Sequence, residues 1–185
     1  TLRRAVPGVA AAFAPGRDAL ITADAENNLY EWDLGTGRCK WRRKETWATG
    51  ITCLATSGIT PRSARQLLAV GTVSGNIDMY DISGETLPRE PFKTIKNLTT
   101  SVSGVTFHRS GELAVGYSDE KKDAIKLLHT PSMTVFKNWP LPNGPISRVS
   151  QVALARTGGI MAVGNDKGRV LLYSLRHYEA GDGAV

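Results

Sequence analysis

The stretch LAVGTVSGNIDMYD, from Leu68 to Asp81, places an apolar run, a short polar turn and a second apolar run in succession. Ile77, Met79 and Tyr80 are apolar around Asp78, which suits a strand whose side chains alternate between faces. Ser74-Gly75-Asn76 has the chemistry of a tight hairpin turn, in which glycine supplies a positive φ at no steric cost. Three further passages repeat this order: LITADAENNLYEWD from Leu20 to Asp33, LAVGYSDEKKDAIKLLH from Leu113 to His129 and MAVGNDKGRVLLYS from Met161 to Ser174. Their closing residues, Asp33, Asp81, His129 and Ser174, are spaced by 48, 48 and 45 residues. Gly168 takes the turn role in the last unit and Asn27-Asn28 in the first, while the third has a longer polar loop from Asp119 to Asp123.

Working outward, each unit opens on one more strand: Gly8 to Phe13, Gly50 to Ala55, Val102 to Phe107 and Arg148 to Leu154. After the closing residues, Cys39-Lys40-Trp41, Phe92 to Ile95 and Thr134-Val135-Phe136 read as outer strands. Four short strands repeating at a period slightly above 40 to 45 residues describe a WD-type β-propeller blade. The expected fold is therefore all-β, with about four blades at roughly 1–47, 48–96, 97–142 and 143–178 and a polar tail at 179–185. The fourth unit has no outer strand of its own, whereas Leu2 to Val6 reads as an outer strand with no inner strands before it. An open array of this kind leaves strand edges unpaired, so the four units are expected to be part of a larger, seven-bladed ring.

Of the 185 residues, 41% are hydrophobic and 22% charged, an ordinary globular balance. No apolar run approaches the ~20 residues of a membrane-spanning helix, and no signal-peptide pattern opens the sequence, so no membrane partner is expected. Cys39 and Cys53 have no second pair and no histidines beside them, and read as reduced packing residues. Asn97-Leu98-Thr99 matches a glycosylation sequon only formally.

The formal charge of +6 favours acidic partners, RNA in particular. Arg38, Lys40, Arg42, Arg43 and Lys44 fall together with no acidic residue among them, beside Trp41 and Trp47. On a strand, Lys40, Arg42 and Lys44 project to one side, forming either a phosphate-contacting stripe or the charged protection of a sheet edge. Lys121 and Lys122 sit on the long loop of the third unit, where a partner contact costs the scaffold little. Trp139, between Asn138 and Pro140, stands in a connecting segment and serves either as a plug on the blade or as a partner anchor.

No catalytic residue, metal site, cofactor or small-molecule substrate is expected. The sequence has no G-x-S-x-G elbow, H-E-x-x-H, C-x-x-C or phosphate-binding loop. His108, His129 and His177 occur at different places in the blade pattern and suggest no ligand set. Trp32, Tyr80 and Tyr173 hold equivalent places and point to core packing, and Asp33 and Asp81 to turn-bonding aspartates.

Several longer strings are more specific than a blade signature. Phe92 to Thr100, Val102 to Phe107, Leu128 to Pro140 (LHTPSMTVFKNWP) and Gly164 to Tyr178 (GNDKGRVLLYSLRHY) together resemble the C-terminal propeller of the U-three small nucleolar RNA-associated protein eighteen family. The resemblance covers about Gln66 to Tyr178. Residues 1–60 carry only generic repeat features, Thr60 to Arg65 is an insertion, and the glycine-histidine opening of a strict repeat is absent. It implies a non-enzymatic scaffold of the nucleolar small-subunit processome, supporting the early cleavages that mature small-subunit ribosomal RNA. Its implied partners are other processome proteins, WD-repeat subunits among them, and small nucleolar RNA or pre-ribosomal RNA. Nothing here matches the N-terminal arm by which that family recruits RNA-surveillance machinery. The alternatives are a WD-repeat adaptor of another nuclear or cytoplasmic complex, and a propeller enzyme, which requires acidic, histidine or metal-binding side chains around a central channel.

Overall fold

The computed structural model describes residues 6–46, 48–58, 65–141, 144–156 and 159–178. The expectations for residues 2–5, Trp47, the insertion at 60–64 and the tail at 179–185 lie outside the described residues. Alternating apolar runs broken by turn residues form strands, which hydrogen-bond into four antiparallel meanders. The first sheet comprises β1 (Gly8–Ala14), β2 (Ala19–Asp24), β3 (Asn28–Asp33) and β4 (Cys39–Lys44). The second comprises β5 (Ile51–Thr56), β6 (Leu67–Thr72), β7 (Ile77–Asp81) and β8 (Lys93–Ile95). In the third are β9 (Gly104–Phe107), β10 (Leu113–Tyr117), β11 (Ile125–His129) and β12 (Thr134–Val135). Three strands make the fourth: β13 (Val149–Leu154), β14 (Ile160–Asn165) and β15 (Val170–Ser174), followed by a 3-10 turn at Arg176–Tyr178. The opening strands β1, β5, β9 and β13 lie against one another in succession, which is the radial arrangement of propeller blades.

Register confirms the repeat. Asp33 lies opposite Ala19, Asp81 opposite Leu67, His129 opposite Leu113 and Ser174 opposite Ile160, so the four closing residues are structurally equivalent. The turns are as expected, with positive φ at Gly75 (83°), Gly168 (69°) and Asn27 (65°); the long loop of the third sheet places Asp123 there instead (57°). Thr36 N–H donates to Asp33 and Ser83 N–H to Asp81, which makes both aspartates turn-bonding. The bond from Thr36 is also the main reason the Asp33 carboxyl titrates below its ordinary value.

Between successive sheets lie three apolar layers, the first around Ile21, Leu68 and Tyr80, the second around Leu67, Met79 and Val102, the third around Val115, Ile125 and Val163. Strands β6 and β10 are buried along their whole length, because they have a sheet on either side. The end sheets differ. Val9 and Phe13 on β1 are exposed, and so are Ile160, Val170 and Leu172 on the fourth sheet, the last two at 69%. Each end sheet thus packs on one face and presents an apolar row on the other.

The identical strings Leu68-Ala69-Val70-Gly71 and Leu113-Ala114-Val115-Gly116 are one residue out of register, since Leu67 and not Leu68 is the equivalent of Leu113. The two glycines therefore face each other's sheet. A Cβ on Gly71 would lie 2.9 Å from Val102 and 2.4 Å from Cys53 Sγ, and one on Gly116 would lie 2.4 Å from Ile77. At the place equivalent to Gly71 the third sheet has Tyr117, and it makes room by pairing it with Gly104 where the second sheet has Cys53. We expect Gly71→Ala and Gly116→Ala each to lower stability by about 1–3 kcal/mol through overpacking, measured as a shifted urea midpoint.

Candidate nucleic-acid and partner interface

The basic run occupies β4, the outer edge of the first sheet, and alternates as expected: Trp41 and Arg43 are half-buried, Lys40, Arg42 and Lys44 exposed. The three exposed cations do not form a uniform stripe, however. A bulge sets Cys39 rather than Lys40 opposite Trp32, and Lys40 Nζ lies 3.9 Å from Glu31 and 3.7 Å from Asp33. Arg42 stacks over the Tyr30 ring at 5.6 Å, and Tyr30 in turn stacks on Trp32. Arg43 reaches across to the second sheet and donates to the carbonyl of Leu87. Arg38 and Lys44 are the exposed members with no charged or aromatic side-chain partner among the described residues. Cys39 is exposed and donates to the Trp41 carbonyl, so it is not the packing residue expected, whereas Cys53 is packed in the second apolar layer and burial raises its thiol pKa.

Lys121 and Lys122 stand far from β4 in the order of sheets, on the connection between β10 and β11. Lys121 approaches Thr99 at 3.5 Å, and Lys122 bridges to Arg148 at the entrance of the fourth sheet. Trp139 packs edge-on against Tyr173 at 5.5 Å within the third apolar layer and is half-buried. Its geometry is that of a plug. The histidines, scattered in sequence, partly converge: His108 and His177 both contact Tyr178, and His129 and His177 line one groove with Leu127, Phe136 and Arg176. Only the chain's return past the third sheet reveals this. Among the described residues no group of three or more His, Cys, Asp or Glu side chains is placed to hold a metal ion. Nor is any helix among the described residues long and apolar enough to cross a membrane.

Below the exposed features lies a framework of buried polar bonds. Asp24, fully buried, accepts from Glu26 N–H, from the backbone and side chain of Asn28 and from Tyr30 Oη–H. Burial pushes its carboxyl up, but these bonds outweigh burial and hold it below its ordinary value. Trp32 donates to Thr22 Oγ1 at 2.9 Å, and Tyr80 donates to the buried Glu45. Burial, and then Glu45, push the Tyr80 hydroxyl far above its ordinary value. Asp78 is also buried, and burial raises its carboxyl despite a bond from Thr94. These groups order the sheets and are sealed from a partner.

The string that carries the family resemblance now has a shape. Leu128 and His129 end β11; His129 Nδ1 and Ser132 share a hydrogen bond of 2.7 Å, and Ser132 and Thr134 another of 2.7 Å. Met133 turns the chain at φ 51°, and β12 and Trp139 then lock the segment onto the third and fourth sheets. No family model matches the chain. It is, however, 34% identical over 175 residues to U3 small nucleolar RNA-associated protein 18 of Saccharomyces cerevisiae, an alignment covering 88% of this chain and 30% of that protein. The chain belongs to the U3 small nucleolar RNA-associated protein 18 family. The homologue in Arabidopsis thaliana is 33% identical over 172 residues and that in Homo sapiens 32% over 173, each alignment covering 91% of this chain and 30% of the relative. The chain thus spans about 30% of the length of these relatives. Among solved structures, the computationally designed Ika4 protein superposes with a TM-score of 0.68 at 15% identity, covering 94% of this chain and 95% of that one, which bears on the fold alone.

Proposed function

We propose that this member of the U3 small nucleolar RNA-associated protein 18 family is a non-catalytic scaffold segment of the nucleolar small-subunit processome. In this reading it supports pre-ribosomal RNA processing by holding neighbouring proteins, and precursor or small nucleolar RNA, against rigidly presented loops and edges. The observation that carries the reading is the identity of 32–34% along about nine-tenths of the chain with relatives whose names state association with U3 small nucleolar RNA. The geometry is compatible with such a role. Sheets locked by buried polar bonds keep a fixed shape, and the cations sit on an outer strand and on a loop, where contacts form without rearranging the core. Arg38, Lys44, Lys121 and Lys122 are the foremost contact residues; Arg42, with its guanidinium over Tyr30, contributes through its exposed edge. Lys40, Arg43 and Trp139 contribute through the framework they brace. Purification of the full-length protein with the RNA bound to it tests the reading: co-purifying U3-type small nucleolar RNA and processome proteins are the expected result.

A further inference from the structure

Between the third and fourth sheets lies a cavity of about 200 Å³ lined by Lys122, Asp123, Gly144, Ser147 and Lys167. We propose that it seats one sugar–phosphate unit of a single-stranded RNA, an inference that rests on the scaffold reading above and gives it an address. Three observations converge on the site. First, Lys122 and Lys167 are exposed at its rim, and neither forms an ion pair with a described residue. Second, Asp123 Oδ1 is buried without a hydrogen-bond partner, although buried carboxylate oxygens are normally satisfied. Third, the backbone at the site is strained at two non-glycine residues, Asp123 at φ 57° and Ser147 at φ 60°, tied together by a bond of 2.9 Å from Asp123 N–H to the Ser147 carbonyl. Strain at two adjoining positions, held by surrounding structure, is the pattern of a ligand clamp.

The chemistry of the lining selects among occupants. Two ammonium groups attract an anion, but the Asp123 carboxylate repels one and needs a donor. A divalent cation suits Asp123 and is repelled by both lysines. A ribose with its phosphate satisfies both halves, the phosphate against Lys122 and Lys167 and the 2′-hydroxyl donating to Asp123 Oδ1; deoxyribose lacks that donor. Ser147 is buried at 6% exposure, and its Oγ is likewise without a hydrogen-bond partner. Asp166, outside the lining, is exposed beside Lys167 and accepts from Arg148 N–H at 3.3 Å.

The test compares binding of full-length protein to short single-stranded RNA and DNA of one sequence by fluorescence anisotropy across a salt series. Wild-type protein is expected to prefer RNA. Asp123→Gly tolerates the positive φ while removing the carboxylate, and should bring the RNA-to-DNA affinity ratio toward one without weakening DNA binding. Lys122→Ala with Lys167→Ala should weaken RNA binding about ten-fold and flatten the slope of log affinity against log salt by about 0.7. An unchanged ratio in the first variant, or an unchanged salt slope in the second, overturns the cavity as the RNA seat while the scaffold reading stands. A wild-type protein that binds RNA no better than DNA also overturns it, and one that binds no RNA at all removes the RNA half of that reading.

Discussion

Replacing Asp24 by alanine is expected to destabilise the protein by about 3 kcal/mol, the largest loss among the polar residues of the first sheet. The carboxylate accepts from Glu26 N–H, Asn28 N–H, the Asn28 amide and the Tyr30 hydroxyl in a fully buried site. Bonds to a charged acceptor contribute about 1.5–3 kcal/mol, and donors left without an acceptor add their own desolvation cost. The effect carries a pH signature. The folded-state pKa of Asp24 lies below its ordinary value of 3.8, so the unfolded chain binds the proton first. The carboxylate's contribution is then complete above that ordinary value and is lost as the pH falls through the folded-state pKa. Urea unfolding at neutral pH should show the full difference between wild type and Asp24→Ala, and the difference should narrow in acid. A loss below about 1 kcal/mol at neutral pH, or a pH-independent one, would show that the bonds around Asp24 do not brace the sheet.

The second large effect is expected at the open end. Val170 and Leu172 are each 69% exposed and share a face with Ile160, while the equivalent strands of the second and third sheets are enclosed by sheets on both sides. The fourth sheet also stops at β15, whose outer edge carries no strand among the described residues. If these units are part of a larger ring, a further blade of the same polypeptide covers that face in the full-length protein. Leu172→Asp would then bury an unpaired carboxylate and cost about 2–4 kcal/mol, read as a lowered melting temperature of the full-length protein. A change within about 0.5 kcal/mol, as for an ordinary surface substitution, would mean that the face stays in water.

The fold was legible because its signals are local. Gly75, Gly168 and Asn27 mark turns through their own backbone preferences, and Asp33 and Asp81 through bonds to residues two or three away, so the repeat and its closing residues follow from the string alone. What was illegible depends on other sheets. Gly71 and Gly116 read as one motif, yet a single-residue shift turns their open sides to opposite sheets, where each accommodates the other's neighbours. Lys40 reads as part of a stripe until a bulge brings it to Glu31 and Asp33. Cys39 and Cys53 look alike in sequence, and only the edge position of β4 explains why one is exposed. The cavity at Lys122, Asp123, Ser147 and Lys167 draws on the long loop of the third sheet and on the β14–β15 turn, and no spacing rule joins residues so separated.

The proposed scaffold role places this propeller segment within an RNA-containing particle. Sequencing the RNA that co-purifies with the tagged full-length protein from its own cells tests this most directly. The expected result is strong enrichment of U3-type small nucleolar RNA, together with precursor of small-subunit ribosomal RNA, diminished by charge reversal at Lys44, Lys121 and Lys122. Recovery of background RNA alone, from a protein that is folded and expressed at its normal level, would contradict it.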